Sequence, residues 1–313
     1  MLTIFSCPKA FKGHIGIIQR NAIQSWTFLR PKPEVILIGD EEGTAEICRE
    51  FGLHHLPGIE RNERGIPLVN AIFRGGGASA SNRYVCYVNA DILLLNCFME
   101  AVNRTIELMA EDVFLIIGRR WDLELGEPLN FKDTHWDSKL RIHVRSYEKL
   151  GLPTGIDYFF FPKGLWKNIP PFALGRCHWD NWLVYDTCSR NIPVIDITAV
   201  TTVIHQKHDY SHIPGNREGL KKGIDMRRNW ELQGRHYHRI FNIWDSSYLL
   251  LSKDLKKSGR LRRLSAHSMR IRYFLNVLIL EKCHPYSLPL VILLRNIKSY
   301  LRSAQRLIKN KKK

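Results

Sequence analysis

The chain has 313 residues, 44% of them hydrophobic and 25% charged, a balance that fits one large or two small folded domains and excludes disordered, collagen-like and disulfide-stapled chains. No run of 18 apolar residues occurs, so a conventional membrane-spanning helix is not expected. The opening MLTIFSCPKAF lacks the basic-then-apolar pattern of a secretory leader. Seven scattered cysteines (Cys7, Cys48, Cys86, Cys97, Cys177, Cys188 and Cys283) form no CxxC pair, which argues against a zinc site or disulfide framework and for reduced thiols in a cytoplasmic setting. The net charge of +17 is uneven. Residues 253–313 hold 17 Lys/Arg against only Asp254 and Glu281, whereas residues 1–252 hold 30 basic and 28 acidic residues.

Leu2 to Phe5 reads as a strand, and the loop after it carries Cys7, Pro8, Lys9 and Gly13. From His14 to Leu29, apolar residues at Ile15, Ile18, Ala22, Trp26 and Leu29 form a 3.6-residue stripe that predicts a helix, closed by Pro31 and Pro33. Val35 to Ile38 is a continuous apolar run, as in a central parallel strand covered on both faces. A turn through Gly39-Asp40-Glu41-Glu42-Gly43 leads to a helix over Thr44 to Phe51. Gly75-Gly76-Gly77 lies in a helix-like run and reads as a break or bend. Arg83 to Val88 is another strand, ended by Asn89-Ala90-Asp91; Asn96 is placed to cap a helix from Cys97, and Val113 to Ile117 is a further strand. Strands separated by helical segments imply βαβ crossovers and an α/β, mostly parallel sheet with helices on both faces.

The stretch 120–176 reads as irregular, with one short strand at Tyr158 to Phe161. Asp180 to Ser189 is helical. Ile192 to Ile197 and Val200 to Ile204 are strand-like, with Pro193 favouring an edge or strand-start position, and His208 to Arg235 reads as a polar loop. Beyond residue 253, the apolar runs Phe274 to Leu280 and Leu288 to Leu294 are mixed with basic residues. The division implied is a domain over 1–250 and a basic amphipathic extension over 251–313.

In an open parallel sheet, ligands bind at the carboxyl ends of strands. Polar residues sit at three such ends: Ser6-Cys7-Pro8, Asp40 and Asn89-Ala90-Asp91. No GxGxxG follows the first strand and no GxxxxGK[ST] occurs anywhere, so dinucleotide and P-loop nucleotide binding lack their phosphate cradle. Asp91 is the only charge beside the apolar DILLL run. An unpaired carboxylate there needs a partner. Mg²⁺ or Mn²⁺ shared with diphosphate oxygens would serve, or the residue caps a turn or the next helix.

YVNADILLL, the upstream VILIGDEEGT, GIDYFFFPKGLW, CHWDNWLVYD and VIHQKHDYSH together resemble the GT-A-fold nucleotide-diphospho-sugar transferases over roughly residues 1–212. The resemblance implies a GT-A-like, Rossmann-type sheet with a basic helical C-terminal extension. It implies sugar transfer from a nucleotide-diphosphate donor to a hydroxyl acceptor, with Mn²⁺ or Mg²⁺. Asn89-Ala90-Asp91 falls at the family's DxD motif, with Asn in the first position. By the same resemblance Asp40 contacts the nucleoside, Asp91 and His205 hold the metal, and Asp180, in His178-Trp179-Asp180, is the base of an inverting member; in a retaining reaction it would only orient the acceptor.

Each residue also has a plainer reading. Asp180 suits a helix N-cap, and His205 a hydrogen-bonded structural role, with His208 and His212 near enough in sequence to replace it as ligand. Arg119 or Arg120 pairs with the diphosphate, with Arg119 assigned to the donor, or the pairing is an ordinary one with Asp122 or Glu124. Asp157 touches the acceptor or closes a turn. Pro8 borders the donor, and Trp179, like Trp121, Trp166 and Trp182, stacks on a sugar or packs in the core. The basic segment 253–313 suits an anionic membrane surface, hence a glycan or lipid-linked acceptor and a peripheral position. No nucleic-acid motif accompanies its charge, and nucleic acid is not expected as a partner. Two alternatives stay open: a non-catalytic GT-A-like nucleotide-binding or membrane-tethered protein, and a nucleotidyltransferase, for which SCPKAFKGH is a poor nucleotide loop.

Overall fold

A computed structural model describes residues 1–208, 223–252 and 254–282. The strands are β1 (Leu2–Ser6), β2 (Glu34–Ile38), β3 (His54–Leu56), β4 (Tyr84–Val88), β5 (Ile92–Leu94), β6 (Leu115–Ile117), β7 (Trp121–Leu123), β8 (Tyr158–Pro162), β9 (Val194–Asp196), β10 (Val203–Gln206), β11 (Tyr248–Leu250) and β12 (Leu255–Lys257). The helices are α1 (Gly13–Thr27), α2 (Thr44–Phe51), α3 (Val69–Ser79), α4 (Asn96–Leu108), α5 (Trp136–Tyr147), α6 (Trp179–Ser189), α7 (Ile224–Leu232) and α8 (Arg260–Lys282).

Nine strands form one sheet in the order β12-β11-β9-β6-β8-β4-β1-β2-β3. Pairing is parallel except at β8, which runs antiparallel between β4 and β6, and at the β11–β12 hairpin. The central strands are apolar on both faces because both are covered. Ile4, Leu37, Cys86 and Phe160 pack with α1, α2 and α4 on one side, and Phe5, Ile36, Tyr87 and Phe159 pack with α3 and α6 on the other. A small second sheet, β5-β10-β7, sits beside the carboxyl edge of β4.

Helix α3 runs through the glycine triplet, where a break was expected. A Cβ on Gly76 would lie 2.4 Å from the Phe5 ring, so glycine there lets the helix backbone close on β1; Gly77 has nothing within 4 Å. Helix α4 starts at Asn96 itself, whose side chain accepts from the Arg30 amide (2.9 Å) and caps nothing. Pro193 precedes β9, which lies inside the sheet between β6 and β11. The region expected to be irregular contains β7 and α5, and the expected polar loop contains α7. Past residue 250 the chain adds β12 to the sheet. Helix α8 then docks through Arg262 on buried Asp196 and Arg270 on buried Asp245. His212 and the run Leu288–Leu294 lie outside the described residues.

Gly76→Ala should cost about 1–3 kcal/mol because the new methyl overpacks the Phe5 contact. Gly77→Ala should gain about 0.5–1 kcal/mol from helix propensity. Urea unfolding of the two variants side by side checks the opposite signs.

Candidate functional site

A cleft of about 560 Å³ opens at the carboxyl ends of β1, β2, β4 and β6 and is lined by Pro8, Lys9, Glu41, Asn89, Asp91, Arg120, Asp157, Asp180, His205 and His208, among others. The small sheet assembles its charged centre. Antiparallel pairing puts His205 opposite Ile92, and the Gln206 amide donates to the Asp91 carbonyl (3.2 Å), so the histidine and the carboxylate meet at one strand end. Parallel pairing of β10 with β7 sets His205 opposite Asp122. Buried Gln206 locks this register by donating to the Ile18 carbonyl (2.7 Å) and the Asp91 carbonyl (3.1 Å).

Asp91 Oδ2 lies 3.1 Å from His208 Nε2 and 3.7 Å from His205 Nε2. Donor atoms of the three residues lie within 4.8 Å of one another. His205 Nδ1 faces Asp122 Oδ1 at 3.0 Å, which leaves Nε2 turned toward Asp91, and Arg120 Nε reaches the same Asp122 oxygen at 3.3 Å. This is the carboxylate–histidine arrangement that orients imidazoles toward metals. Burial pushes the Asp91 carboxyl up, but the hydrogen bond from His208 and the charges of both histidines outweigh it and hold the group well below the usual carboxylate range. Asp91 Oδ1 is buried and has no hydrogen-bond partner among the described residues. A buried orphan oxygen beside two imidazoles fits a divalent cation such as Mn²⁺.

Asn89 faces elsewhere. Its Nδ2 donates to Asp157 Oδ1 (2.9 Å), its Oδ1 accepts from the Tyr87 hydroxyl (3.0 Å), and its amide donates to the Asp157 carbonyl (2.9 Å). Arg120 forms an ion pair with Asp157, so one guanidinium bridges Asp157 and Asp122. Of the two neighbouring arginines, Arg120 lines the cleft. Arg119, expected at the donor, is turned away: its Nε donates to the Gly151 carbonyl (2.7 Å) and its Nη2 to the Leu150 carbonyl (3.3 Å). Asp40, expected at the nucleoside, projects into solvent after Gly39, whose φ of 112° swings the chain outward. Glu41 lines the cleft in its place, and both acids pair with Arg61 (2.7 and 2.8 Å). Trp179 borders the cleft, but its indole packs against Tyr87, Phe73 and Phe159 in the core. Trp166 and Trp182 pack on Phe161 and Phe172.

Asp180 is in the first turn of α6, and the cap position belongs to His178, whose φ of 88° makes a left-handed turn. His178 is buried beside the rings of Trp230 of α7 and Tyr273 of α8, and burial lowers its pKa to about 4. Asn229 of α7 clamps the preceding loop through Ala173 and Cys177. Burial, together with the charge of Asp157, raises Asp180 to about 7, a value suited to proton transfer near neutrality. Sequence spacing gave no sign of Arg61 or Arg176, which also line the cleft from loops; Asp122 and His208 stood in view only as alternative partners.

No family model matches the sequence, and no curated protein matches it either. Among solved structures, Staphylococcus aureus TarS 1-349 in complex with UDP-GlcNAc is similar over 94% of this chain and 79% of its own, at 12% identity and a TM-score of 0.50. The chain has the GT-A-like glycosyltransferase fold. Two further GT-A structures are also similar. Glucosyl-3-phosphoglycerate synthase from Mycobacterium tuberculosis, with Mn²⁺, UDP and phosphoglyceric acid, has 14% identity, coverage of 75% and 78% and a TM-score of 0.43. Mannosyltransferase PcManGT from Pyrobaculum calidifontis, with GDP-Man and Mn²⁺, has 14% identity, coverage of 96% and 69% and a TM-score of 0.41.

In this GT-A-like fold the raised Asp180 carries a stability signature. Its folded pKa of about 7 lies above the ordinary 3.8, so the folded state holds the extra proton between those values, and stability falls as pH rises through that window. Asp180→Asn should therefore melt higher than the parent at pH 8, with the two converging near pH 4, as thermal denaturation across pH will show.

Proposed function

We propose that the protein transfers a sugar from a nucleotide-diphosphate donor to a hydroxyl acceptor. The observation that carries this reading is the cluster of Asp91, His205 and His208 at the strand-end cleft of a GT-A-like sheet, with the Asp91 Oδ1 atom left over. These three side chains would hold the divalent cation, which supplies charge neutralisation for the diphosphate oxygens of the leaving group. Asp122 keeps His205 in the orientation that offers Nε2.

In the same cleft, Asp180 takes the proton from the acceptor hydroxyl while the hydroxyl oxygen attacks the anomeric carbon. The bond from that carbon to the nucleoside diphosphate breaks on the other face, which inverts the configuration. The pKa of about 7 supports this role, because the carboxylate is basic enough to accept a proton and still substantially ionised at neutral pH. Asp157, fixed by Asn89 and Arg120, presents its remaining surface to the acceptor side, and Pro8 borders the donor.

Turnover should rise with pH through about 7 as Asp180 ionises. Asp180→Asn should lower it by about 10²–10⁴-fold, while nucleoside-diphosphate binding with Mn²⁺, measured by calorimetry, survives. Asp91→Asn and His208→Ala should remove both turnover and metal-dependent nucleotide binding. Turnover that persists in Asp91→Asn and in chelator would reject the proposal.

The same reading places the protein in the cytoplasm, peripheral to an anionic membrane through its basic C-terminal residues. Among the described residues no helix is long and apolar enough to cross a membrane. Residues 283–313 carry eight lysines and arginines and no acid. At about 1 kcal/mol for each basic residue near such a surface, that charge is ample for attachment. Since β12 and α8 are packed onto the body, the informative truncation is 283–313. Its loss should weaken co-sedimentation with anionic vesicles at low salt and leave cleft activity on soluble acceptors intact.

A further inference from the structure

A second hollow, of about 590 Å³, lies on the α4 side of the sheet, lined by segments that leave the carboxyl ends of β9 (Ala199, Val200) and β11 (Leu250, Leu251, Ser252). Its walls are two helices. From α4 come Cys97, Glu100, Ala101 and Arg104, spaced three and four apart and therefore on one face; from α5 come Arg141 and Arg145, one turn apart. Three guanidiniums thus line one concavity against a single acid, Glu100, above a floor of alanine, valine and leucine. Arg145 is held in place there, its Nε donating to Thr202 Oγ1 (2.8 Å) and its Nη2 to the Thr201 carbonyl (3.0 Å).

Exposed apolar side chains stand in the lining and on the two helices that form the walls. Leu108, one turn beyond Arg104, is 39% exposed; Ile142, on the Arg145 face of α5, is 64% exposed; and Leu251, in the lining itself, is 36% exposed. Arginine forks recognise phosphate oxygens in paired geometry, and a free phosphate has no use for exposed leucine and isoleucine around its site. Arginines in a hollow whose lining and wall helices also expose aliphatic side chains match the headgroup and acyl boundary of a bilayer.

We propose that this pocket binds the phosphate of an anionic phospholipid headgroup and seats the catalytic body on the membrane, independently of the C-terminal charge. Because both hollows open at carboxyl ends of the same sheet, docking here brings the cleft close to the lipid surface.

Vesicle co-sedimentation of the full chain, with phosphatidylcholine alone or with 30 mol% phosphatidylglycerol added, tests it. The double variant Arg104→Gln/Arg141→Gln should weaken partitioning onto phosphatidylglycerol vesicles at least about ten-fold. The charge-matched control Arg49→Gln/Arg74→Gln, on α2 and α3, removes the same charge and keeps residues 253–313; it should weaken partitioning less than about three-fold. Ile142→Asp/Leu251→Asp, which leaves all three arginines in place, should weaken it comparably to the pocket variant. Equal losses in the pocket and control variants would mean diffuse electrostatics and overturn the pocket. So would parent binding indifferent to phosphatidylglycerol, or calorimetric saturation by inorganic phosphate with no vesicle preference.

Discussion

Everything at the cleft depends on one uncompensated oxygen. Asp91 is delivered by β4 to the end of the sheet, part-buried in the cleft wall, and given two imidazoles on one oxygen and no hydrogen-bond partner among the described residues on the other, buried oxygen. Such a carboxylate would be costly in the folded state without positive charge nearby. The three-stranded sheet supplies that charge. Its antiparallel pair brings His205 to Asp91 and its parallel pair brings Asp122 to His205, so pairing with a single strand, β10, sets both contacts. Gln206, buried and bonded to α1 and to the Asp91 carbonyl, fixes the register of that strand. A one-residue slip would turn His205 to the opposite face.

The asparagine at the first position of the DxD-like motif follows from the same charge balance. Asn89 Nδ2 donates to Asp157 while its carbonyl oxygen accepts from Tyr87. An aspartate would offer no donor and would set carboxylate against carboxylate, with Arg120 already shared between Asp157 and Asp122. Asparagine therefore serves Asp157 and Tyr87 at once, where aspartate would require a second cation. The candidate metal cluster consists of Asp91 and the two histidines.

Features written in short-range pattern were legible in the sequence: the apolar runs of β2 and β4, the stripe of α1, and Asp91 at a strand end. What escaped depends on long-range packing. β5 and β7 are three residues each and acquire their character from pairing with β10, 80 or more residues away. The Gly75–Gly77 triplet opposes helix by local propensity, yet the close approach of Phe5 to Gly76 demands it. At the site, the sequence could place two arginines after β6 without telling which turns inward. Carbonyls of a distant loop, at Leu150 and Gly151, capture Arg119 and leave Arg120 to the cleft. Likewise the turn at Gly39 decides between Asp40 and Glu41.

The two aspartates that frame the cleft are of one residue type and are driven in opposite directions. Burial raises both. At Asp91 the histidines reverse the effect and hold the carboxylate ionised; at Asp180 the charge of another acid, Asp157, adds to burial, and burial prevails. Arg120 could restore balance at Asp180, but it is committed to Asp157 and Asp122. At the turn before α6, a left-handed His178 beside Trp230 and Tyr273 sets where the helix begins and so puts Asp180 in its first turn, at the cleft. Burial alone would move the two carboxyl groups the same way; it is the charge placed around each, imidazoles at one and a carboxylate at the other, that parts them.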